Sequence, residues 1–524
     1  PTSSRAYHRL ATFELMFWRL LILAEKSRRD SKTPPREPAV DPLESEKFLS
    51  LLPFKLTPEQ IRVSEEFTAD LRSAKPLNRL LQGEVGSGKT VVAGLVASVI
   101  LARGKQVAFL APTEFLARRY FEFLSPLMEK LGRVPALLIG SLSLKEKRRV
   151  LKGLSDGAIN LAIGDQTLLP AIRSRADLGL AIIDERERFG VRQRLALTRE
   201  YPGLDLMSLS APIPRSLAPI LYGDMDISSI HDPSHGSSHN SSQGQKTPET
   251  IVYQEYDSAK AYEKFFAAIR RGQPGVALCP RLGYDAPLDD PGLDPLAPEP
   301  AREEDAREEE DLLFQLAMPK EIKPRPGLDI LAIEKLIRAK APDLRLGVIH
   351  GRQEPALRHK TLKAFEAGRL DILAATSIIE VGVDTPSANI TLVEGADIFG
   401  LSKLHQLRSQ VGRGGGQGLF LAISSYKATD IAGERLEALT RYADGFKLAE
   451  MDMKIRGPGE EVELKASGWP IFKFAKFPRD LAFWPKALEL ADNLWPRLGQ
   501  WPDLAARIDL LAKELASWPE TKTS

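Results

Sequence analysis

From Leu51 to Asp226 short apolar runs take turns with longer stretches of helical spacing: "NRLLQG", "QVAFLAPT", "ALLIGS", "INLAIGD", "LGLAIIDE" and "DLMSLS" are the apolar runs. Strands joined through helices lie parallel, and a parallel sheet is covered by helices on its faces, so this segment predicts an α/β lobe. In such sheets the chemistry collects where strands end and helices begin. A second series follows: "GVALCP", a helix around Ile330 to Ala339, "LRLGVIHG", "DILAATS", "ANITLVEG" and "GLFLAIS". It predicts a second lobe of the same class, and 524 residues exceed what one core accommodates.

The connections divide the chain. Residues 1–48 read as an amphipathic helix, centred on "LMFWRLLIL", and a Pro-rich, charged linker; 49–230 form the first lobe and 248–441 the second. Residues 442–524 form an irregular and helical extension. The apolar part of the first helix is too short and too charged to span a bilayer. "HDPSHGSSHNSSQGQKTPET" is a polar joint; its His231, His235 and His239 are spaced four apart, but Pro233 and Gly236 oppose the helix that would align them. An acidic, Pro-rich insert at residues 283–325 carries seven acids against two arginines over residues 301–311, a composition that favours a solvated loop. After residue 460 every tryptophan precedes a proline, a pair suited to helix starts.

A net charge of +2 excludes a uniformly basic coat, leaving any nucleic-acid surface to local clusters. Cys279, the single cysteine, makes no internal disulfide and has no neighbouring base, and no Cys/His spacing matches a zinc site. A cytoplasmic location is expected. The chain opens on Pro1, so a trimmed product lacking upstream residues is expected.

"GEVGSGKT", Gly83 to Thr90, ends one strand and opens the helix "TVVAGLVASVILARG". Gly83, Gly86 and Gly88 let backbone N–H groups turn inward around phosphate, with Ser87 between them; Lys89 neutralises the β/γ charge and Thr90 ligates Mg²⁺. Downstream, "LGLAIIDE" delivers Asp184 and Glu185 at a strand end. With the acid-bearing strand beside the loop, Asp184 holds the magnesium shell and Glu185 orients or deprotonates the attacking water. ATP and Mg²⁺ are the expected cofactors.

The ordered motifs resemble those of superfamily-two DNA translocases, and within them the RecG branch-migration helicases, from about residue 5 to 475. "LPFKLTPEQ" is similar to the adenine-reading Q motif, with Gln60 facing the base and Phe54 beside it. "APTEFLA" resembles the strand-tracking motif Ia, "DERERFGVRQR" the DExH box, "APIPRSLA" motif III, "GVIHGR" motif IV, "ATSIIEVGVDTPSA" motif V and "LHQLRSQVGRGG" motif VI. "AEMDMKIRGPGE" resembles the start of the translocation hairpin. The resemblance implies two RecA-like lobes with ATP in the cleft between them, strand movement by lobe closure and reopening, and Arg413 as an arginine finger. It implies DNA contacts from Thr113, Ser141, Arg352, Thr376, Glu380 and Arg456.

The chain departs from the family pattern at Glu187, where the DExH histidine stands, and at Ser210 and Ala211 of motif III. Further departures are Asp165 in "GDQT", expected to repel a phosphate backbone, Ser409 and Gln410 of motif VI, and Leu464 to Ala466 of the hairpin. The fork-splitting wedge that precedes such motors has no counterpart in this chain. Two functions are therefore expected: an ATP-dependent motor on branched or duplex DNA, or a hydrolysis-weak nucleotide-binding scaffold within a larger protein assembly.

Overall fold

The computed structural model describes residues 5–32, 42–172, 177–184, 201, 203–214, 225–231, 248–280, 329–351, 353–376, 388–412, 418–425, 430–456, 473–475 and 479–517. The chain divides into two compact units. One comprises Pro1–Ser241, Ala443–Pro458 and Ser467–Ser524, the other Ser242–Tyr442 and Gly459–Ala466.

The first unit is built on seven strands: β1 (Asn78–Gly83), β2 (Gln106–Leu110), β3 (Pro135–Leu138), β4 (Leu161–Gly164), β5 (Leu178–Ile183), β6 (Asp205–Ser210) and β7 (Asp226–Ile230). Their order is β3-β4-β2-β5-β6-β1-β7, with every pairing parallel. The inner strands β2, β4 and β6 are buried at every residue, as continuous apolar runs between two helical layers should be. On one face lies the Lys89–Ala102 helix, buried from Val91 through Leu101. Phe48, from the Pro42–Ser50 helix, is wholly buried against it. The two approach so closely that a Cβ at Gly94 would come within 2.8 Å of both Phe48 Cζ and Leu124 Cδ2.

The 28-residue Arg5–Lys32 helix packs its buried Leu15, Leu20 and Leu21 against C-terminal helices through Trp484, Ala491 and Ile508. Tryptophan-proline pairs open three of these elements: the Trp484–Leu494 helix, the Trp495–Gln500 3-10 turn, and, after Trp501, the Pro502–Ser517 helix. Among the described residues no helix is long and apolar enough to cross a membrane.

The second unit repeats the architecture with β8 (Glu249–Gln254), β9 (Gly275–Cys279), β10 (Leu346–Ile349), β11 (Ile372–Thr376), β12 (Ile390–Glu394) and β13 (Leu419–Ser424). They form an all-parallel sheet ordered β10-β11-β9-β12-β13-β8. A core of Phe265, Ile269, Ile333, Ile337, Leu392 and Leu421 fills the space under its helices. The acidic insert lies outside the described residues.

The N-terminal helix also anchors the chain near the hairpin-like segment. Both Glu14 carboxylate oxygens accept backbone hydrogen bonds, from Lys473 N at 2.5 Å and from Phe474 N and Ala475 N at 2.8 Å. Glu14→Ala leaves three amides without this acceptor at a partly solvated site. It is expected to lower the stability of this unit by about 1–3 kcal/mol, read as a reduced urea midpoint at unchanged m-value.

Candidate nucleotide-binding site

The loop after β1 is shaped by glycines for two separate reasons. Gly86 (φ 83°) and Gly88 (φ 89°) occupy the left-handed region that L side chains avoid. Gly83 and Gly88 also lack room: a Cβ at Gly83 would lie 2.6 Å from Ser87 Oγ, and one at Gly88 would lie 2.2 Å from Gln60 Nε2. Gly88 is the N-cap of the Lys89–Ala102 helix and gives no side-chain cap, so the first N–H groups keep their donor capacity toward the loop. Lys89 Nζ reaches back over the loop and donates to Gly83 O at 2.7 Å and Glu84 O at 2.8 Å.

Gln60 locks the Pro58–Arg72 helix to this loop. Its Oε1 accepts from Thr57 N at 2.9 Å, while Thr57 Oγ1 accepts from Gln60 N at 3.3 Å, a reciprocal cap with Pro58 in the first turn. Its Nε2 donates to Ser87 O at 2.9 Å, so the structure places the carboxamide on the loop backbone. The same helix is pinned to β7, where Arg62 donates to Ser229 O at 2.7 Å. A hydrogen bond from Arg62 also holds the neighbouring Glu59 carboxyl below the usual carboxylate range. Phe54 is 44% exposed, open to stacking from solvent.

Asp184 follows β5, is buried, and fixes its own position with Asp184 N donating to Leu110 O at 2.9 Å. Its Oδ2 accepts a hydrogen bond from Tyr120, whose ring stacks on Phe109 at 4.7 Å between centroids. The sheet order corrects one expectation: β5 does not lie beside β1, because β6 is inserted between them. Gln82, at the end of β1, spans the inserted segment. It accepts from Ile213 N at 3.2 Å through Oε1 and donates to Ser229 Oγ at 2.8 Å through Nε2. Sequence reading missed Gln82 and Tyr120, since only the fold brings their partners near.

Thr113 caps the Glu114–Lys130 helix, accepting from Leu116 N at 3.3 Å. Ser141 is bound to that helix's first residue: Glu114 accepts from Ser141 N and from Ser141 Oγ, each at 2.6 Å. Asp165 has partners within the first unit. It is buried, with its oxygens on Gly140 N at 3.0 Å, Thr167 N at 2.9 Å and Thr167 Oγ1 at 2.6 Å, so it organises this pair of loops.

Residues 57–219 match the DEAD/DEAH box helicase family, and residues 324–415 match the helicase conserved C-terminal domain. The chain is 35% identical over 478 residues to the ATP-dependent DNA helicase RecG of Thermotoga maritima, covering 91% of this chain and 55% of that protein. It is 34% identical over 467 residues to the same-named protein of Synechocystis, covering 88% and 51%. Over nearly its whole length the chain is similar to RecG-type superfamily-two helicases. It spans about half the length of these relatives. A solved structure of RecG bound to a three-way DNA junction matches with a TM-score of 0.66 and 31% identity, over 92% of this chain and 57% of that one.

Further motif residues stand at the ends of strands and helices. Thr376 closes β11 beside Cys279 of β9, and its buried Oγ1 has no hydrogen-bond partner among the described residues. Glu394 closes β12; burial holds its carboxyl above the ordinary range while Tyr262 donates to it at 2.8 Å. Ser409 ends the Leu401–Ser409 helix and Gln410 caps it. Arg456 ends the Gly445–Arg456 helix, and its side chain is outside the described set. Glu185, Glu187, Arg352, Glu380, Arg413 and Leu464 to Ala466 lie outside the described residues.

The residues present fit a magnesium triphosphate. Thr90 and Asp184 are hard oxygen donors, and among the described residues no cluster of three His, Cys, Asp or Glu could hold a metal alone. Magnesium takes one or two protein oxygens and completes its shell from phosphate and water. Gly88→Ala is expected to weaken nucleotide binding more than about tenfold, because a left-handed L residue costs about 1–2 kcal/mol and its Cβ displaces Gln60. Gly104→Ala is the control: it has φ 76° and nothing within 4 Å of the added Cβ, so it carries the strain and leaves nucleotide affinity unchanged. Calorimetric titration of both variants checks the pair.

Proposed function

We propose that the chain is an ATP-dependent DNA motor of the RecG type, hydrolysing ATP with Mg²⁺ to move on branched or duplex DNA. One observation carries the reading: the loop at Gly83–Thr90, held by Gln60, shares a sheet with the buried Asp184, in a chain that aligns along nearly all its length with ATP-dependent DNA helicases. The relative solved with a three-way junction supports branched DNA as the substrate.

In this reading the loop N–H groups from Gly86 to Thr90 bind the phosphates, and Lys89 exchanges its two carbonyl partners for phosphate oxygens. Thr90 and Asp184 hold the metal, which supplies charge neutralisation to the transferring phosphoryl group. Tyr120 fixes the Asp184 carboxylate. Glu185 orients the attacking water, and Arg413 stabilises charge on the leaving group, a role worth roughly 10³ to 10⁵ in rate. Thr113, Ser141, Arg352, Thr376, Glu380 and Arg456 form the DNA track, gripping backbone phosphate and sugar. The scaffold alternative, with a larger assembly as partner, is not favoured, because the matches that cover 88–91% of this chain are to ATP-dependent helicases.

The test is phosphate release with and without three-way-junction DNA. Junction DNA is expected to raise turnover at least about tenfold, and Lys89→Ala to remove at least about 99% of it. The combined Glu187→His and Gln410→Arg substitutions should change turnover by less than about threefold. No release at any DNA concentration rules the motor out, and a large gain from the double substitution returns the scaffold reading.

A further inference from the structure

The second residue of the phosphate loop, Glu84, contributes its carbonyl to Lys89 at 2.8 Å. Its side chain does something else. It is buried, and Oε1 accepts a 2.7 Å hydrogen bond from Gly445 N, 361 positions further along and within the same compact unit. Gly445 is the first residue of the 12-residue helix that ends at Arg456 and leads into the hairpin-like segment. The start of that helix is pinned a second time: Asp444 Oδ1 accepts from Phe446 N at 2.8 Å, and the Phe446 ring lies 4.4 Å from the ring of His231, which follows β7. Strand β7 pairs with β1, the strand that carries the loop.

We propose that Glu84 is a positioning residue that transmits occupancy of the phosphate loop to the Gly445–Arg456 helix. The proposal rests on the nucleotide-binding reading of that loop. One residue holds the loop lysine by its main chain and the helix by its side chain. A carboxylate at a helix start is favoured by the helix dipole, and a buried N–H stripped of a charged acceptor loses its desolvation compensation. When Lys89 leaves the Gly83 and Glu84 carbonyls for phosphate, Glu84 O keeps its bond from Ser87 N at 3.1 Å, and the loop backbone can shift while the Glu84 carboxylate stays on Gly445. The helix therefore follows the loop, or a buried charge-assisted bond breaks.

Hydrogen–deuterium exchange across Gly445–Arg456 in the full chain tests this, with and without magnesium and ATPγS, alongside nucleotide affinity on the same samples. In the unmodified chain nucleotide should shift exchange of the first-turn amides by at least about fivefold. Glu84→Ala, with nucleotide bound, should shift the helix by less than about 1.5-fold. Gly445→Pro removes the donor, leaves the loop sequence intact and places proline where a helix start tolerates it, so it should reproduce that loss even where Glu84→Ala fails to fold. Glu84→Gln retains an acceptor oxygen and should keep at least about half of the shift. The proposal is overturned if nucleotide binds and the helix shifts equally in Glu84→Ala and Gly445→Pro, or if it binds without any shift. Failure of the unmodified chain to bind nucleotide overturns the nucleotide reading and this link together, and is recognised by the affinity alone.

Discussion

A phosphate loop works only if successive main-chain N–H groups turn toward one point, and this backbone path admits almost no side chains. At Gly86 the obstacle is the dihedral angle, at Gly83 the space, and at Gly88 both. Much of the first unit is arranged around that path. Gln60 holds the loop by the carbonyl of Ser87, Gln82 ties the strand beneath it to its neighbours, and Glu84 runs from it to a helix far along the chain. Each bond fills a buried or half-buried polar group, so each also stiffens the loop.

The parallel sheet explains how residues distant in sequence meet. All strands of the first unit point the same way, so the loop, Asp184, the "LSAPIP" segment and the Thr113 turn emerge at the same edge. Insertion of β6 between β1 and β5 makes the "LSAPIP" strand the physical intermediary between the loop and Asp184. The second unit sets its own strand ends, Thr376 and Glu394, in the same manner.

How much of this could be read from the sequence depended on burial. Inner strands such as "QVAFL" and "LFLAIS" are apolar runs because both faces are covered, and they were legible. The edge strands β7, "DISSI", and β8, "ETIVYQ", are half-exposed and polar, so hydrophobic patterning did not reveal them. Local structure read well where the motif was contiguous, as in the glycine turn of Gly83–Thr90 that opens a helix. It failed where contacts join residues far apart in the chain: Tyr120 to Asp184, Ile213 to Gln82 and Gly445 to Glu84. At Asp165 the charge was legible and the three internal donors were not.

In the proposed reading Gly83–Thr90 and Asp184 together hold a magnesium triphosphate. Binding of a non-hydrolysable ATP analogue, titrated against magnesium in the unmodified chain and in Asp184→Asn, tests it most directly. The account predicts that magnesium tightens binding at least about tenfold in the unmodified chain and that Asp184→Asn loses most of that gain while metal-free affinity is retained. Equal magnesium dependence in the two chains, or no binding in either, would contradict it.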